Sequence, residues 1–410
     1  MDDQHSALWP EPGYSRVPYD VYKSADIYEA ERQRIFMGAA WNYLCLECEI
    51  AKPGDYRATF VGDVPVVVAR DMDGSLGGFE NRCAHRGALI CPKDGGNGAR
   101  LSCVYHGWTY DLKGNLTAVP FQHGVAGKGG MPADFRREDS KRRPLRVESF
   151  AGLVFGTFSA DAPSLQAYLG PVIAARIARV MKKPVKVLGY NSQILPNNWK
   201  MYICNVRDPY HASLLHLFFT TFRLNRLSAE GGILIDESGG HHVSYSKAAT
   251  DRQSADYDAE KLRAKHEGFG LADPSMIQGV DEFGDGITLQ ILSVFPCFVL
   301  QQIQNSLCAR QVVPRGKDET ELIWTYFGFE DDDEAMVLHR VKQANLVGPG
   351  GYVSMEDGAV GSFVRRGITG SGADRELIEM GGRDWRSQDT RVTESPLRGF
   401  WKVYREHMGL

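Results

Sequence analysis

Two short cysteine–histidine segments constrain this sequence more than any other feature. Cys83-Ala84-His85 forms the first segment, and Cys103-Val104-Tyr105-His106 forms the second after seventeen intervening residues. Thiolate and imidazole groups are ligands for zinc, copper and iron–sulfur centres. Because each segment places one cysteine and one histidine in a short loop, the pair predicts a metal centre held between two loops.

Two kinds of metal centre fit these four ligands. In a Rieske [2Fe–2S] cluster two histidines replace two cysteines on one iron, which makes the cluster easier to reduce than an all-cysteine one. A structural zinc site also uses cysteine and histidine, but it seldom combines the spacings Cys-x-His and Cys-x₂-His. The flanking Arg86-Gly87 and Gly107-Trp108 favour the cluster, because glycine lets the backbone approach sulfur and an indole can exclude water. We therefore predict a single-electron centre with the ligands Cys83, His85, Cys103 and His106.

Length and composition restrict the classes of protein that the chain can represent. A length of 410 residues predicts two domains, and 43% hydrophobic residues suffice for their cores. A net charge of −4 gives no reason to expect nucleic acid or an anionic membrane as a partner. The acidic start at Met1–His5 is unlike a secretory signal, and a run of about eighteen apolar residues is missing. Eight cysteines fit a reducing compartment, so we expect a cytoplasmic protein.

Three regions follow one another along the chain. Residues 1–40 include a helical stretch from Ala25 to Met37, and we expect this N-terminal helical segment to pack on the last region. Residues 41–158 are short β runs separated by glycine, proline and aspartate turns, typical of a small antiparallel β domain that carries the cluster. Residues 159–410 group several strands between helices, with a mainly helical stretch from Trp199 to Phe219. This grouping predicts an α+β domain with helices on an antiparallel sheet.

A second metal site is predicted around His211 and His216. Residues five apart on a continuous helix point about 140° apart, so the helix must bend or one histidine must lie at its end. Pro209 favours a helix start close to His211. Two imidazoles and one carboxylate with open positions form the facial triad of non-haem Fe(II) oxygenases. Ordinary structural histidines are the alternative, but an upstream electron-transfer cluster needs an electron acceptor in the same enzyme.

The carboxylate ligand must come from another segment. Residues 348–351 are a glycine- and proline-rich turn that opens a helical stretch, and Glu356 and Asp357 lie about one turn further on. We favour Asp357 as the ligand, partly on the resemblance described next, and place Glu356 in a supporting or capping position.

The order of these two motifs resembles that of a known family. Cys83/His85…Cys103/His106 followed by Asp208-x₂-His211-x₄-His216 is similar to the large (α) subunit of Rieske non-haem iron aromatic-ring-hydroxylating oxygenases, over essentially the whole chain. Segments such as 79–90, 215–222, 236–246 and 354–358 resemble the terephthalate dioxygenase branch, and salicylate and anthranilate oxygenases are near relatives.

The resemblance implies a Rieske domain joined to a helix-grip catalytic domain in a head-to-tail trimer, with a small β subunit in an α3β3 assembly. It implies that Asp208 bridges a cluster-ligating histidine of one subunit to His211 of the next, which orients both rings. It also implies electrons from NADH through a separate reductase. Relatives usually carry Glu-Asn where this chain has Cys204-Asn205, so an acid near that electron route is missing.

An aromatic acid is the expected substrate. Arginine can hold a carboxylate with a bidentate fork, and by the same resemblance Arg310 and Arg391 are the candidate anchors, with Ser244 adding a hydroxyl. Two anchors suit a para-dicarboxylate, so we expect an enzyme that inserts both atoms of O₂ into terephthalate to give a cis-dihydrodiol. A salicylate- or anthranilate-type ring hydroxylase is the alternative, and a non-catalytic Rieske electron-transfer protein is the alternative from another class. His241 and His242 alternate faces on a strand, and either could line the pocket or be structural.

Overall fold

The computed structural model describes Trp9 and residues 13–222, 224–248, 257, 259–260, 270–372 and 374–410. The acidic start at Met1–His5 lies outside the described residues. The chain forms two compact units. One comprises Phe36–Leu165, and the other comprises Gln166–Leu410 together with the described residues up to Ile35.

The described secondary structure consists of strands in consecutive groups, with α-helices before, between and after these groups. The strands are β1 (Arg16–Pro18), β2 (Asn42–Leu46), β3 (Asp55–Val61), β4 (Val64–Arg70), β5 (Leu76–Glu80), β6 (Gly95–Asn97), β7 (Arg100–Ser102), β8 (Thr109–Asp111), β9 (Leu116–Ala118), β10 (Pro144–Phe150), β11 (Leu153–Thr157), β12 (Val185–Leu195), β13 (Gly231–Ile235), β14 (His242–Lys247), β15 (Ile287–Val294), β16 (Phe298–Ile303), β17 (Ser306–Pro314), β18 (Thr320–Phe329) and β19 (Arg375–Leu377). The α-helices are Asp20–Lys23, Ala25–Glu31, Leu165–Val180, Trp199–Arg207, Ala212–Leu215, Leu217–Thr221, Glu334–Val347, Tyr352–Ile368 and Ser395–Met408.

The unit Phe36–Leu165 is built from antiparallel β-structure. One sheet has the strand order β2-β11-β10-β5-β4-β3-β6, and β7, β8 and β9 form a smaller sheet. Turn residues connect the strands as the sequence predicts: the Asp71 amide donates to the Ser75 carbonyl at 2.8 Å, and Gly74 between them has a φ of 85°. Only glycine adopts such a φ without strain, so this position closes the hairpin between β4 and β5.

The larger unit is centred on a seven-stranded antiparallel sheet with the order β12-β18-β17-β16-β15-β14-β13. Strands β15 to β18 follow one another as hairpins, so their side chains share faces over long rows. In these rows Ser244 lies opposite Ile291, and Ile291 lies opposite Gln301. Helices Trp199–Arg207 and Tyr352–Ile368 contact each other and also contact strands of this sheet. Their arrangement confirms the predicted α+β class.

The N-terminal helices of the larger unit are anchored by a buried charge network. Glu31 is fully buried and accepts hydrogen bonds from Lys200 Nζ at 2.6 Å and from Trp199 Nε1 at 2.8 Å. The Tyr404 hydroxyl donates to the same carboxylate at 2.5 Å. A buried charge is tolerated when every polar atom finds a partner, and this carboxylate has three.

Several predicted boundaries need correction. The mainly helical stretch expected from Trp199 to Phe219 consists of three short helices, because the chain leaves the helical conformation at Asp208 and again at His216. The helix expected from Ala25 to Met37 changes to a π-helix at Arg32. Strand β13 was not predicted. Within the described part of the chain, every helix falls short of the length and hydropathy needed to cross a membrane.

Candidate functional site

The two cysteine–histidine segments adopt the same local structure. In the first loop the Cys83 amide donates to the Ala88 carbonyl at 2.7 Å, and the Gly87 amide donates to the Cys83 carbonyl at 3.0 Å. In the second loop the Cys103 amide donates to Trp108 at 2.9 Å, and the Gly107 amide donates back to Cys103 at 2.9 Å. Both glycines have a positive φ, 76° and 69°. The flanking glycines therefore close the two loops.

The ligand atoms of the two loops lie in two different environments. The thiols of Cys83 and Cys103 are buried in a hydrophobic cluster, whereas His85 and His106 are exposed. The Nδ1 atoms of the two histidines face each other at 3.1 Å. Trp108 stacks on the His85 ring, with centroids 5.0 Å apart and planes inclined by 12°. The indole thus covers one side of a ligand ring, as the flanking sequence indicates.

These residues fit a Rieske cluster. Two ring nitrogens at 3.1 Å repel each other unless a proton or a cation lies between them, and an iron ion would satisfy both lone pairs. The buried thiols provide the second pair of ligands, and the Tyr110 hydroxyl lies 3.4 Å from Cys83 Sγ, where it can donate to a thiolate. Hydrogen bonds to sulfur are one means by which proteins tune the potential of such clusters.

The larger unit brings His211, His216 and Asp357 together. His211 caps the short helix Ala212–Leu215, and His216 lies at the break after it, so the irregular backbone turns both rings to one side. The Nε2 atoms of the two histidines lie 3.4 Å and 3.3 Å from Asp357 Oδ1. One ligand atom from each of the three residues lies within 4.8 Å of the others.

Carboxylates orient both histidines from behind. His216 Nδ1 lies 2.8 Å from Glu356 Oε2, and His211 Nδ1 lies 3.5 Å from Asp208 Oδ2. The backbone amides of Tyr210 and His211 donate to Asp208 Oδ1 and fix that carboxylate. The Glu356 carboxylate can keep the proton on Nδ1 of His216 and leave its Nε2 lone pair free for a metal. Nδ1 of His211 lies near Asp208 but has no hydrogen-bond partner among the described residues.

The electrostatics of this group suit a divalent cation. Burial lowers the pKa of His211, but Asp208 and Asp357 more than offset this and raise it to about 10. Burial raises the pKa of Asp357, yet His211, His216 and Arg310 bring it below its usual value. A buried ionised carboxylate that draws a proton onto a neighbouring imidazole marks a place where positive charge is stabilised. The donor set, two nitrogens and one oxygen, fits a non-haem iron.

The three residues line a cavity that also contains every candidate substrate anchor. Its free volume is about 610 Å³ including the part that opens to solvent, and the centre of a water molecule can occupy about 70 Å³ of it. Ser244, Arg310 and Arg391 lie in its wall. The apolar wall consists of Phe219, Leu289, Ile291, Ile303 and Val353.

Arg310 is buried beside the metal-ligand group, with 5% of its surface exposed. Its Nη1 donates to the Tyr202 hydroxyl at 2.7 Å, its Nη2 donates to Gln301 Oε1, and its guanidinium lies 4.6 Å from the Trp324 ring centre. Nε has no hydrogen-bond partner among the described residues. The guanidinium is therefore held in place with unused donors.

Arg391 is held in the same way but by other residues. Its two terminal nitrogens donate to Asn225 Oδ1 and to the Arg226 carbonyl, and its Nε has no partner in the described structure. Burial lowers the pKa of Arg391 to about 10. Within the described residues neither Arg310 nor Arg391 forms an ion pair with an acidic side chain. Two buried cations without carboxylate partners face one cavity.

His241, which precedes β14, and His242, its first residue, do not line this cavity. His241 Nδ1 accepts a hydrogen bond from the Phe295 amide at 3.0 Å, so its Nε2 carries the proton and donates to the Tyr168 carbonyl. His242 is fully buried, and burial lowers its pKa well below the usual value. The hydrogen bonds of His241 give it a structural place, whereas both ring nitrogens of His242 lack a hydrogen-bond partner among the described residues.

Sequence reasoning missed several residues that complete the cavity. Asn205 Nδ2 donates to Asp357 Oδ1 at 3.3 Å, and Gln301, Asn225 and Tyr202 position the arginines. Only Asn205 carried a local signal, since it lies in the segment before the histidines. The others come from distant strands and loops, and their side chains are ordinary polar residues in the sequence.

Together, the fold and these two sites define a class of protein: an iron oxygenase with a Rieske centre in one unit and a two-histidine, one-carboxylate centre in the other. Residues 40–128 match the model of the Rieske [2Fe–2S] domain, and residues 175–410 match that of the ring hydroxylating alpha subunit (catalytic domain). The chain belongs to the family of ring-hydroxylating oxygenase α subunits. It is an enzyme that uses a Rieske cluster, a mononuclear iron, O₂ and electrons from a reductase.

Three relatives align with this chain over nearly its whole length. The chain is 54% identical to the terephthalate 1,2-dioxygenase terminal oxygenase component subunit alpha 2 of Comamonas sp over 98% of this chain and 97% of the relative. It is 46% identical to the anthranilate 1,2-dioxygenase large subunit of Burkholderia cepacia over 100% and 97%. It is 38% identical to the salicylate 5-hydroxylase large oxygenase component of Ralstonia sp over 98% and 96%.

A solved structure supports the fold. Naphthalene 1,2-dioxygenase from Rhodococcus sp., bound to indole, superposes with a TM-score of 0.79 at 23% identity and covers 98% of this chain and 96% of that one. This likeness confirms the predicted architecture of a Rieske domain and a catalytic domain.

Proposed function

We propose that this α subunit adds both atoms of O₂ to adjacent carbons of terephthalate and forms a cis-dihydrodiol, with NADH as the electron source through the reductase. One observation carries the proposal: two buried arginines without acidic partners, Arg310 and Arg391, line the cavity that contains the His211, His216 and Asp357 group. Burying one cation without a partner is costly, and burying two is tolerated where the ligand supplies two anions.

The free donors of the arginines fit carboxylates. A guanidinium has five N–H groups, and the contacts described above use two in each arginine. Nε–H is buried and unpartnered in both arginines, and each also keeps Nη–H groups that the contacts described above do not use. These N–H groups suit the carboxylates of a dianion, and Ser244 adds a hydroxyl to the wall of the cavity.

The apolar wall suits the ring between the two carboxylates. Leu289, Ile291 and Ile303 alternate on two neighbouring strands and present one apolar face to the cavity. An aromatic ring held there excludes water, and the two carboxylates fix its orientation, so a chosen pair of carbons faces the metal position. Such anchors therefore control both the affinity for the dianion and the orientation of its ring.

We also propose the ligand sets. Cys83, His85, Cys103 and His106 hold the cluster, and His211, His216 and Asp357 hold the mononuclear iron. When bound, the cluster supplies single electrons and the iron supplies a coordination site for O₂. Glu356 keeps Nδ1 of His216 protonated, and Asp208 lies beside Nδ1 of His211.

Electrons are proposed to cross between neighbouring copies through Asp208, in a head-to-tail trimer that also binds a small β subunit. The histidines of the cluster loops are exposed, and next to them Val104 and Tyr105 expose 77% and 51% of their surface. Exposed apolar groups around exposed ligands suit contact with a second copy. We further propose the division 1–40, 41–158 and 159–410, and a cytoplasmic location.

The experiment is a substrate panel with product identification. Reconstituted enzyme is given terephthalate, benzoate, anthranilate and salicylate, and O₂ uptake is measured together with the product structure. We expect O₂-coupled formation of the terephthalate cis-dihydrodiol with the highest kcat/KM. Preferred turnover of anthranilate or salicylate would make that acid the substrate in place of terephthalate. Reduction of the cluster without any O₂ uptake would indicate an electron-transfer protein instead.

A further inference from the structure

A second cavity in the larger unit reaches the proposed electron route. It shares Asn205, Asp208 and His211 with the substrate cavity and is partly open to solvent. The centre of a water molecule can occupy about 450 Å³ of it, which is room for several waters. Its wall contains two carboxyls that the proposed function does not use, Glu376 and Glu394.

Glu376 is placed by non-local structure. It lies on β19, which pairs with β1 near the N-terminus, so that Glu376 is opposite Val17. Its partly exposed carboxyl interacts electrostatically with the hydroxyl of Tyr22, which is 2% exposed. The same hydroxyl lies 4.0 Å from the buried Sγ of Cys204. This arrangement links β19, the helix Asp20–Lys23 and the helix that leads to Asp208.

Compared with the titratable groups around it, Glu376 is the one that changes protonation near neutral pH. Burial raises the pKa of Glu376 to about 7, against the opposing interaction with Tyr22 and with a further rise from Glu394. Burial also raises the pKa values of Tyr22 and Cys204, so both stay neutral. Tyr19, whose pKa is raised by burial and by Glu376, is neutral as well.

No cation compensates Glu376 among the described residues, and a second acid stands close to Asp208. Glu394 accepts a hydrogen bond from the Met380 amide at 2.9 Å, and its pKa is raised by burial and by Asp208. An additional negative charge in this region is therefore unfavourable, because the region is buried and already contains carboxyl groups. Proton uptake by a nearby carboxylate is the simplest compensation for such a charge.

We propose that Glu376 accepts a proton from solvent, through this cavity, when an electron reaches the metal site through Asp208. The O–H bond of a hydronium ion in the cavity breaks and the O–H bond of the Glu376 carboxyl forms, so that the added proton balances the charge of the one electron that the reduced cluster would supply. The reaction requires protons, because adding O₂ to a ring as a cis-diol consumes two electrons and two protons. The proposal rests on the proposed electron route, and Glu376 acts by charge compensation rather than by contact with substrate.

The test is infrared difference spectroscopy of the loaded enzyme, reduced with dithionite and reoxidised, without substrate at pH 7. We expect reduction to produce the C=O band of a protonated carboxyl in the parent protein. Glu376→Gln should lose this band, since glutamine keeps an acceptor for Tyr22 but cannot take up the proton. Glu379→Gln is the matched control, because Glu379 lies three residues away outside the cavity, and it should retain the band.

A carboxyl band that persists in Glu376→Gln, or no band in the parent, would overturn the proposal. The visible spectrum and the iron content verify that each variant is loaded. A second measurement is the pH profile of single turnover with fully reduced enzyme, in which Glu376→Gln should lack the ionisation near pH 7. Since the infrared experiment uses no substrate, it remains decisive even if terephthalate fails as the substrate.

Discussion

Replacement of Arg391 by glutamine tests the substrate proposal through a ratio of affinities. Arg391 is 1% exposed, and its two terminal nitrogens are held by Asn225 and by the Arg226 carbonyl. Arg391→Gln removes the charge and the free edge of the guanidinium. It also costs the protein those two contacts, but this cost is the same whichever ligand binds, so it cancels when two ligands are compared.

The expected size of the effect follows from the burial of the arginine. Removing one member of a buried, hydrogen-bonded charge pair costs about 2–5 kcal/mol. At about 1.4 kcal/mol for each tenfold change, this corresponds to a roughly 30- to 4,000-fold loss of affinity for the second carboxylate. Terephthalate should lose this amount relative to benzoate, which has only one carboxylate and can use Arg310 alone.

The assay is equilibrium binding of terephthalate and benzoate to oxidised, metal-loaded enzyme, in the parent, Arg391→Gln and Arg310→Gln. The parent should prefer terephthalate, and each single variant should lose most of that preference. An equal weakening of both ligands by Arg391→Gln would assign the arginine to the structure rather than to the substrate. An unchanged affinity for terephthalate would remove it from the binding site.

Three further outcomes follow from the contacts around the two sites. Asp208→Ala should keep both metals but lose more than about 10-fold in turnover; undiminished product formation would exclude its role in the electron route. Glu356→Gln should weaken iron binding at His216 by about 10- to 100-fold, measured by competition with a chelator, while the cluster absorbance stays unchanged; equal iron affinity would refute the orienting role. Lys200→Met should destabilise the larger unit by about 3–5 kcal/mol in denaturant titrations followed by tryptophan fluorescence, because Glu31 is left buried without its cationic partner; an unchanged midpoint would contradict this.

The sequence predicted those parts of the structure that depend on residues close together in the chain. The cluster loops contain their ligands and their closing glycines within a few positions, so spacing alone pointed to them. The five-residue step from His211 to His216 required a bend or a helix end, and the structure has breaks at both ends of this step. The positions of the breaks at Asp208 and His216 were not predicted residue by residue, because helical periodicity does not mark where a helix ends.

Contacts between residues that are far apart in the sequence could not be predicted in the same way. Asp357 lies far from the histidines in sequence, and its choice over Glu356 needed the resemblance. The structure gives both acids a place: Asp357 faces both Nε2 atoms, and Glu356 lies behind His216. The partners of the arginines and the link from Tyr22 to Glu376 depend on strand pairing and tertiary packing, which no local pattern contains.

The most direct test of the central claim is the metal content of the purified, fully loaded chain. Iron, zinc and acid-labile sulfide are measured per polypeptide on the same sample. A Rieske cluster together with a mononuclear iron predicts about three irons and about two sulfides per chain, with no stoichiometric zinc. Zinc in place of iron, or about two irons with none beyond those accounted for by the sulfide, would contradict the account.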